Sequence, residues 1–275
     1  MIARARLETV GERPALRLER RLAHSPERVW RAVTEPAELA KWFPAAVTVD
    51  LRPGGTIEFT FEGEEVPTAG KVLEADEPRV FAFSWNDDVL RWEITPEEDG
   101  SRLLFTHTFG RGEPAIARIA AGRTAAGWDS CLVALTAHLD GEENEPPEDW
   151  VGPIEAYVEE FGLADGEVLE TGDGKVIRFR RDLIWKPLDD VWALLTPERA
   201  VIGAGTVTRE EPPRLLEFSL PRGGVVRWEF THSELEGTMV EVTQTVPDGQ
   251  DDVVPEALRS WREKLKEFFA AAHRS

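Results

Sequence analysis

The chain is poor in the residues that most often carry chemistry. Among its 275 residues there is a single cysteine, Cys131, so no internal disulfide forms and an oxidising compartment is not implied. Its five histidines are scattered and show neither zinc-ligand spacing nor a His-Glu-x-x-His pair. A phosphate loop, a dinucleotide fingerprint and a Gly-x-Ser-x-Gly elbow are missing too. The acidic runs Glu62-Gly63-Glu64-Glu65 and Glu142-Glu143 lack calcium-loop spacing. No metal and no cofactor is expected. No stretch approaches the ~20 apolar residues of a membrane span, and Met1-Ile2-Ala3-Arg4-Ala5-Arg6 has no signal-peptide core. A cytoplasmic location without membrane insertion is the expectation. Positive charge is also scarce, with 32 basic residues against 52 acidic ones and a net charge of −20. Such a polyanion repels phosphate backbones and anionic headgroups, which argues against a nucleic-acid partner.

What the chain has in quantity is aromatic surface. It holds 10 Trp and 13 Phe against one Tyr, and each such ring buries about 150–250 Å². With 41% hydrophobic and 31% charged residues the composition is globular, and the length suits one large domain or two ordinary ones.

Self-similarity decides between those two. Leu7-Glu8-Thr9 and the run from Leu16 to Arg21 recur as Leu169-Glu170-Thr171 and the run from Ile177 to Arg181. Pro26 to Trp30 recurs as Pro187 to Trp192, one residue longer. Gly70-Lys71-Val72 through Ser84 answers Gly205-Thr206-Val207 through Ser219, and Arg91-Trp92-Glu93-Ile94-Thr95 answers Arg227-Trp228-Glu229-Phe230-Thr231. Trp128, Leu132 and Leu135 answer Trp261, Leu265 and Phe268. The pattern reads as a tandem duplication. Thr34 to Gly70 spans 36 positions and Thr196 to Gly205 only 9, so the second copy is 27 residues short. The missing stretch contains Lys41-Trp42-Phe43-Pro44 and two strands.

Each copy opens with a hairpin, turned at Gly11-Glu12 and at Gly172-Asp173-Gly174. A short helix follows, started in the first copy by Ser25-Pro26. A second short helix, from Glu35-Pro36 to about Trp42, is expected in the first copy alone. Strands then alternate: Ile57, Phe59 and Phe61 share a face, as do Phe81, Phe83 and Trp85, then Leu90, Trp92 and Ile94, then Leu103, Phe105 and His107. One side of this antiparallel sheet is therefore buried and the other solvated. A long helix from about Glu113 to Leu139 covers the buried side through Ala117, Trp128, Cys131, Leu132, Leu135 and Leu139, with Gly122 and Gly127 allowing a bend. Three segments result: a complete domain over 1–140, an acidic linker with a short amphipathic helix over 141–164, and a truncated domain over 165–275. The fold class is α+β. The edge exposed by the missing strands should be covered by the linker helix, the first domain or another subunit.

Ser25-Pro26-Glu27-Arg28-Val29-Trp30, Leu39-Ala40-Lys41-Trp42-Phe43-Pro44, Pro53-Gly54-Gly55 and Ala126-Gly127-Trp128 resemble the SRPBCC (START-like) superfamily. The similarity is to its branch named for the activator of the heat-shock chaperone ATPase. That resemblance covers most of residues 16–139 and, more weakly, 176–270. It implies two tandem helix-grip domains, each a curved antiparallel sheet wrapped on a long C-terminal helix, the second lacking one helix and two strands. It also implies a hydrophobic cavity between sheet and helix, used across the superfamily for apolar molecules.

Tryptophans shared by both copies (Trp30/Trp192, Trp92/Trp228, Trp128/Trp261) are read first as core, with Trp92 and Trp128 also contributing cavity wall. Residues confined to the complete copy are better ligand contacts: Trp42, Phe43, Phe59, Phe61 and Trp85, the last replaced by Leu220. Phe83 and Leu132 complete the lining. His107 points inward by alternation, and its counterpart is Gln244; it is a satisfied core histidine, a polar anchor or an acid–base group, with Asp129 and Glu93 as candidate partners. The leading reading is binding of a small hydrophobic or aromatic ligand in the first domain, with the second domain structural or regulatory and a route to self-association. An acid–base enzyme using His107 is the second reading. A chaperone-ATPase activator or protein-binding adaptor, which needs an exposed apolar patch, is the third.

Overall fold

The computed structural model describes residues 4–110, 112–145, 147–195, 205–234 and 237–273. It divides into two compact units, residues 1–154 and 155–275, and each is built on one antiparallel sheet.

In the first unit, β1 (Arg6–Val10) and β2 (Arg13–Leu22) form the opening hairpin. Gly11 takes a positive φ of 61° in its two-residue turn, where a side chain would be strained. Helix α1 (Pro26–Thr34) starts as its sequence dictates: the Ser25 Oγ accepts from the Arg28 N–H at 3.3 Å, and Pro26 occupies the first turn. It stops at Glu35, which is extended (φ −85°, ψ 125°) because Pro36 follows and disfavours a helical residue before it. That proline begins α2 (Pro36–Leu39), shorter than the sequence suggests, with single turns carrying the chain on to Trp42 and Phe43. Six strands follow: β3 (Ala45–Val49), β4 (Thr56–Phe61), β5 (Thr68–Asp76), β6 (Val80–Trp85), β7 (Asp88–Glu97) and β8 (Gly100–Thr108). The sheet order is β1-β2-β8-β7-β6-β5-β4-β3. Alternation holds along β8, where Ser101, Leu103, Phe105 and His107 are buried and their neighbours half-buried.

The covering helix is broken into α3 (Pro114–Ile119) and α4 (Ala121–Asp140). The break falls at Ala120, ahead of Gly122 and well ahead of Gly127. Gly141, left-handed at φ 73°, ends α4, and the Glu142 N–H reaches back to the Ala137 carbonyl at 2.8 Å. A polar joint ties α1 and α2 to the last turn of α4. The Glu38 carboxylate accepts from Arg28 Nη1 at 2.6 Å and from His138 Nε2 at 2.7 Å. Its pKa is held below the ordinary value, first by the His138 hydrogen bond and then by Arg28, against the opposing effect of burial.

The second unit contains most of α5 (Val151–Glu160), then β9 (Glu167–Thr171), β10 (Gly174–Asp182), α6 (Leu188–Ala193), β11 (Thr206–Glu211), β12 (Leu215–Ser219), β13 (Val225–Ser233), β14 (Gly237–Pro247) and α7 (Val254–Ala272). Its order, β9-β10-β14-β13-β12-β11, repeats that of β1-β2-β8-β7-β6-β5. Register repeats as well. His107 pairs with Leu16 and Leu90, and Gln244 pairs with Ile177 and Val226. Even the irregularities coincide, between Val72 and Glu74 and between Val207 and Arg209. Strands β3 and β4 have no counterpart among the described residues. The expected absence of a second short helix in this copy concerns residues 196–204, which lie outside the described residues. Edge strand β11 is exposed along its length, and Arg209, Glu210, Glu211 and the irregularity blunt it. The linker helix attaches elsewhere, to β10 and α7.

That attachment has an electrostatic cause. Arg20 on β2 and Arg181 on β10 occupy the same register position, and both are buried. A guanidinium taken from water needs a carboxylate partner. Arg20 finds Asp129, on the unit's own helix α4. In α7 the residue after Trp261 is Arg262, not an acid, so Arg181 is paired instead by Glu155 of α5 and stacks over Phe269 at 4.8 Å. Arg262 in turn takes Glu159 and, at 2.7 Å, Asp165. Inverting one charge on the terminal helix makes the linker helix part of the second unit.

Glu155→Ala, which leaves Arg181 buried without its carboxylate, should destabilise the second unit by about 3–5 kcal/mol in urea unfolding; a loss under 1 kcal/mol would show that α5 is dispensable. For Glu38, whose folded pKa is depressed, the stabilisation is fully present above the unfolded pKa of about 4.3 and is lost as pH falls through the folded value. The stability gap between the native chain and Glu38→Gln should therefore be widest near pH 6 and close below about pH 4; a constant gap across that window would refute the linkage.

Candidate functional site

The ring-rich interior of the first unit is assembled from β4, β6, β7, β8, α4 and the segment after α2. Trp42 is fixed first: its indole N–H donates to the Ala32 carbonyl at 2.9 Å, which turns the ring edge-on to Trp92. Trp92 and Trp128 each lie 4.2 Å from Phe105. Phe43 stacks on Trp128 at 6.1 Å, and Phe59 stacks on Trp85 at 4.6 Å while touching Phe83 at 5.6 Å. Phe61 adds a second near-parallel ring on Trp85 at 5.8 Å.

These contacts sort the ten residues chosen from the sequence. Trp42, Phe59, Phe83, Trp92, His107, Trp128 and Leu132 are buried; Trp42, Trp92, Trp128 and His107 form one chain of ring contacts and Phe59 with Phe83 another. Phe43, Phe61 and Trp85 are only half-buried. They stand together, Phe43 and Phe61 each within 6.2 Å of Trp85. The deep half of the site is thus a ring-packed wall, and the accessible half is its rim. A methyl group at Gly127 of α4 would meet nothing within 4 Å.

His107 sits between wall and sheet with both ring nitrogens engaged. The Trp128 indole N–H donates to Nδ1 at 2.8 Å. Nδ1 must then carry the lone pair, so the proton is on Nε2, which donates to Asp88 Oδ2 at 2.8 Å. The other Asp88 oxygen accepts the Gly110 N–H, also at 2.8 Å. Neither partner suggested by sequence fills this role: Asp129 binds Arg20, and Glu93 lies 3.5 Å from Arg91. Asp88 was missed because it opens β7, although counting back two residues from inward-facing Leu90 places it on the same face. The second unit makes the equivalent bond without an imidazole, as the Trp261 indole N–H donates to Gln244 Oε1 at 2.6 Å. The position serves to accept an indole proton in both units. Cys131 is half-buried on α4, and burial pushes its thiol up to about 12, far from a reactive thiolate.

Among the described residues no group of three or more His, Cys, Asp or Glu could hold a metal ion, and no helix is long and apolar enough to cross a membrane. Residues 23–140 match the family described as activator of Hsp90 ATPase homolog 1-like protein. The match falls within the first unit. The solved structures similar to the chain include a conserved protein of unknown function, EF2215, from Enterococcus faecalis, with TM-score 0.50 and 17% identity over 57% of this chain and 90% of that one. Another is CalU16 from Micromonospora echinospora, with TM-score 0.45 and 22% identity over 58% and 92%. A third is protein NE0264 from Nitrosomonas europaea, with TM-score 0.42 and 25% identity over 48% and 97%. No curated protein matches the chain. The likeness to the Enterococcus protein extends to fold alone, the helix-grip plan on which this activator-homologue family is built.

If His107 is an indole acceptor, Gln should replace it. His107→Gln should cost less than about 1.5 kcal/mol in urea unfolding followed by tryptophan emission, whereas His107→Leu, which leaves the Trp128 N–H unsatisfied, should cost a further 1–3 kcal/mol or about that. Equal losses in the two variants would remove the acceptor role.

Proposed function

We propose that the first unit binds a small apolar, ring-bearing molecule at the rim formed by Phe43, Phe61 and Trp85, with Phe59 and Trp128 behind them. The observation that carries this reading is that three contacting rings remain partly exposed on a wall that is otherwise buried. Partly exposed apolar rings grouped together are what a hydrophobic ligand replaces water against. The second unit has Leu220 where the first has Trp85, and its described residues include no strands equivalent to β3 and β4. It acts as a structural partner derived by duplication and retains the scaffold without the rim, with its open β11 edge as the place for any self-association. The acid–base alternative has less support, because a ligand at the rim meets no unengaged nitrogen of His107. Chaperone-ATPase activation rests on the family's name alone.

A neutral naphthalene dye that fluoresces in apolar surroundings is a suitable probe. It should bind the full chain in the micromolar range, and Trp85→Leu, which imports the second unit's residue, should weaken it about tenfold, or 1.4 kcal/mol. No binding, or undiminished binding to Trp85→Leu, would overturn the proposal.

A further inference from the structure

The rim also carries information about the ligand's charge. Phe61 ends β4 and Trp85 ends β6, while Phe43 lies two residues before Ala45, which pairs with Phe61. All three rings therefore stand at one end of the sheet. The connections at that end are residues 11–12, 40–44, 62–67, 86–87 and 109–113. In sequence they hold Glu12, Glu62, Glu64, Glu65, Asp87 and Glu113 against Lys41 and Arg111, an excess of four acids (six less two). The opposite end of the same sheet, residues 23–25, 50–55, 77–79 and 98–99, holds Asp50, Glu77, Glu98 and Asp99 against Arg52 and Arg79, an excess of two (four less two). Both of those arginines are ion-paired, to Asp50 and Asp76 at 2.8 Å. The acidic skew is thus concentrated where the rings are accessible.

Glu62, Glu64 and Glu65 directly follow Phe61 and are exposed, and Asp87, two residues after Trp85, is exposed as well. Ring faces carry the negative end of an aromatic quadrupole and attract cations, most strongly for tryptophan. Carboxylates at the same rim add attraction of the same sign, and the net charge of −20 adds a longer-range field. An anionic amphiphile is opposed by all three. We propose that the rim selects a small cationic, ring-bearing molecule, an aromatic amine or aryl quaternary ammonium, its ring on Trp85 and Phe61 and its charge beside the Glu62–Glu65 loop. This proposal rests on the ligand-binding reading above and narrows it.

The test compares three naphthalene probes of matched shape on the full chain by calorimetry and tryptophan quenching: a naphthylmethyl trimethylammonium, its uncharged carbon isostere and a naphthalene sulfonate. The cation should bind at least tenfold more tightly than the isostere, and the sulfonate most weakly. The cation's advantage should fall below threefold at 0.5 M salt and in the exposed-loop variant Glu62→Gln/Glu64→Gln/Glu65→Gln. An isostere that binds as tightly as the cation, or a tenfold preference that survives in the loop variant, would overturn the charge assignment while leaving an apolar site standing. Failure of all three probes to bind would overturn both readings together.

Discussion

An indole N–H inside an apolar core must find an acceptor, because leaving it unmet costs about as much as a well-packed methyl group contributes. Each unit meets that demand at the same place, from the tryptophan of its terminal helix to the strand that lies under it: Trp128 to His107, Trp261 to Gln244. The bond has direction, so it sets the rotation of the helix over the sheet in a way that apolar contact alone does not. Everything built on the first unit's inner face follows from it. With Trp128 held by its nitrogen, the ring presents a fixed surface to Trp92, Phe105 and Phe43, and through Phe43 to Trp85 and the rim.

A second constraint separates the units. Both sheets bury an arginine at one register position, but the acid that answers it is on the covering helix in one and on the linker helix in the other. The exchange of Asp129 for Arg262 at the position after the tryptophan is enough to account for it. Arg262 on α7 pairs with Glu159 of α5 and with Asp165 beyond it, and Arg181 pairs with Glu155, so α5 and the segment after it neutralise buried and surface arginines of the second unit. Among its described residues the second unit has no strands equivalent to β3 and β4, yet it keeps the bond that holds helix to sheet.

Much of this could be read from the residues. Strand alternation placed Phe59, Phe83, Trp92 and His107 on the inner face, because a period of two has no other solution on a half-buried sheet. The Ser25-Pro26 start of α1 and the hairpin glycine at Gly11 behaved as their chemistry requires. What could not be read were relations between residues distant in sequence. Asp88 meets His107 only because two strand ends converge, and Glu155 meets Arg181 only because a helix outside the repeat folds back on it. Nor does periodicity distinguish a ring that faces a void from one that faces another ring. Phe59 and Phe61 share a face in sequence, yet one is buried under Trp85 and the other reaches the rim.

That last distinction bears on how such a unit recognises anything. A cavity lined by free rings would select by volume, since apolar contact has little direction. On the proposed reading, the rim selects through the faces and edges of its rings and through the charge around them. Phe61 stacks on Trp85, 17° from parallel, and the acidic loop begins at the residue after Phe61. The second unit keeps the indole bond from terminal helix to strand but has Leu220 where the first has Trp85, so it shares the anchoring bond and not this surface.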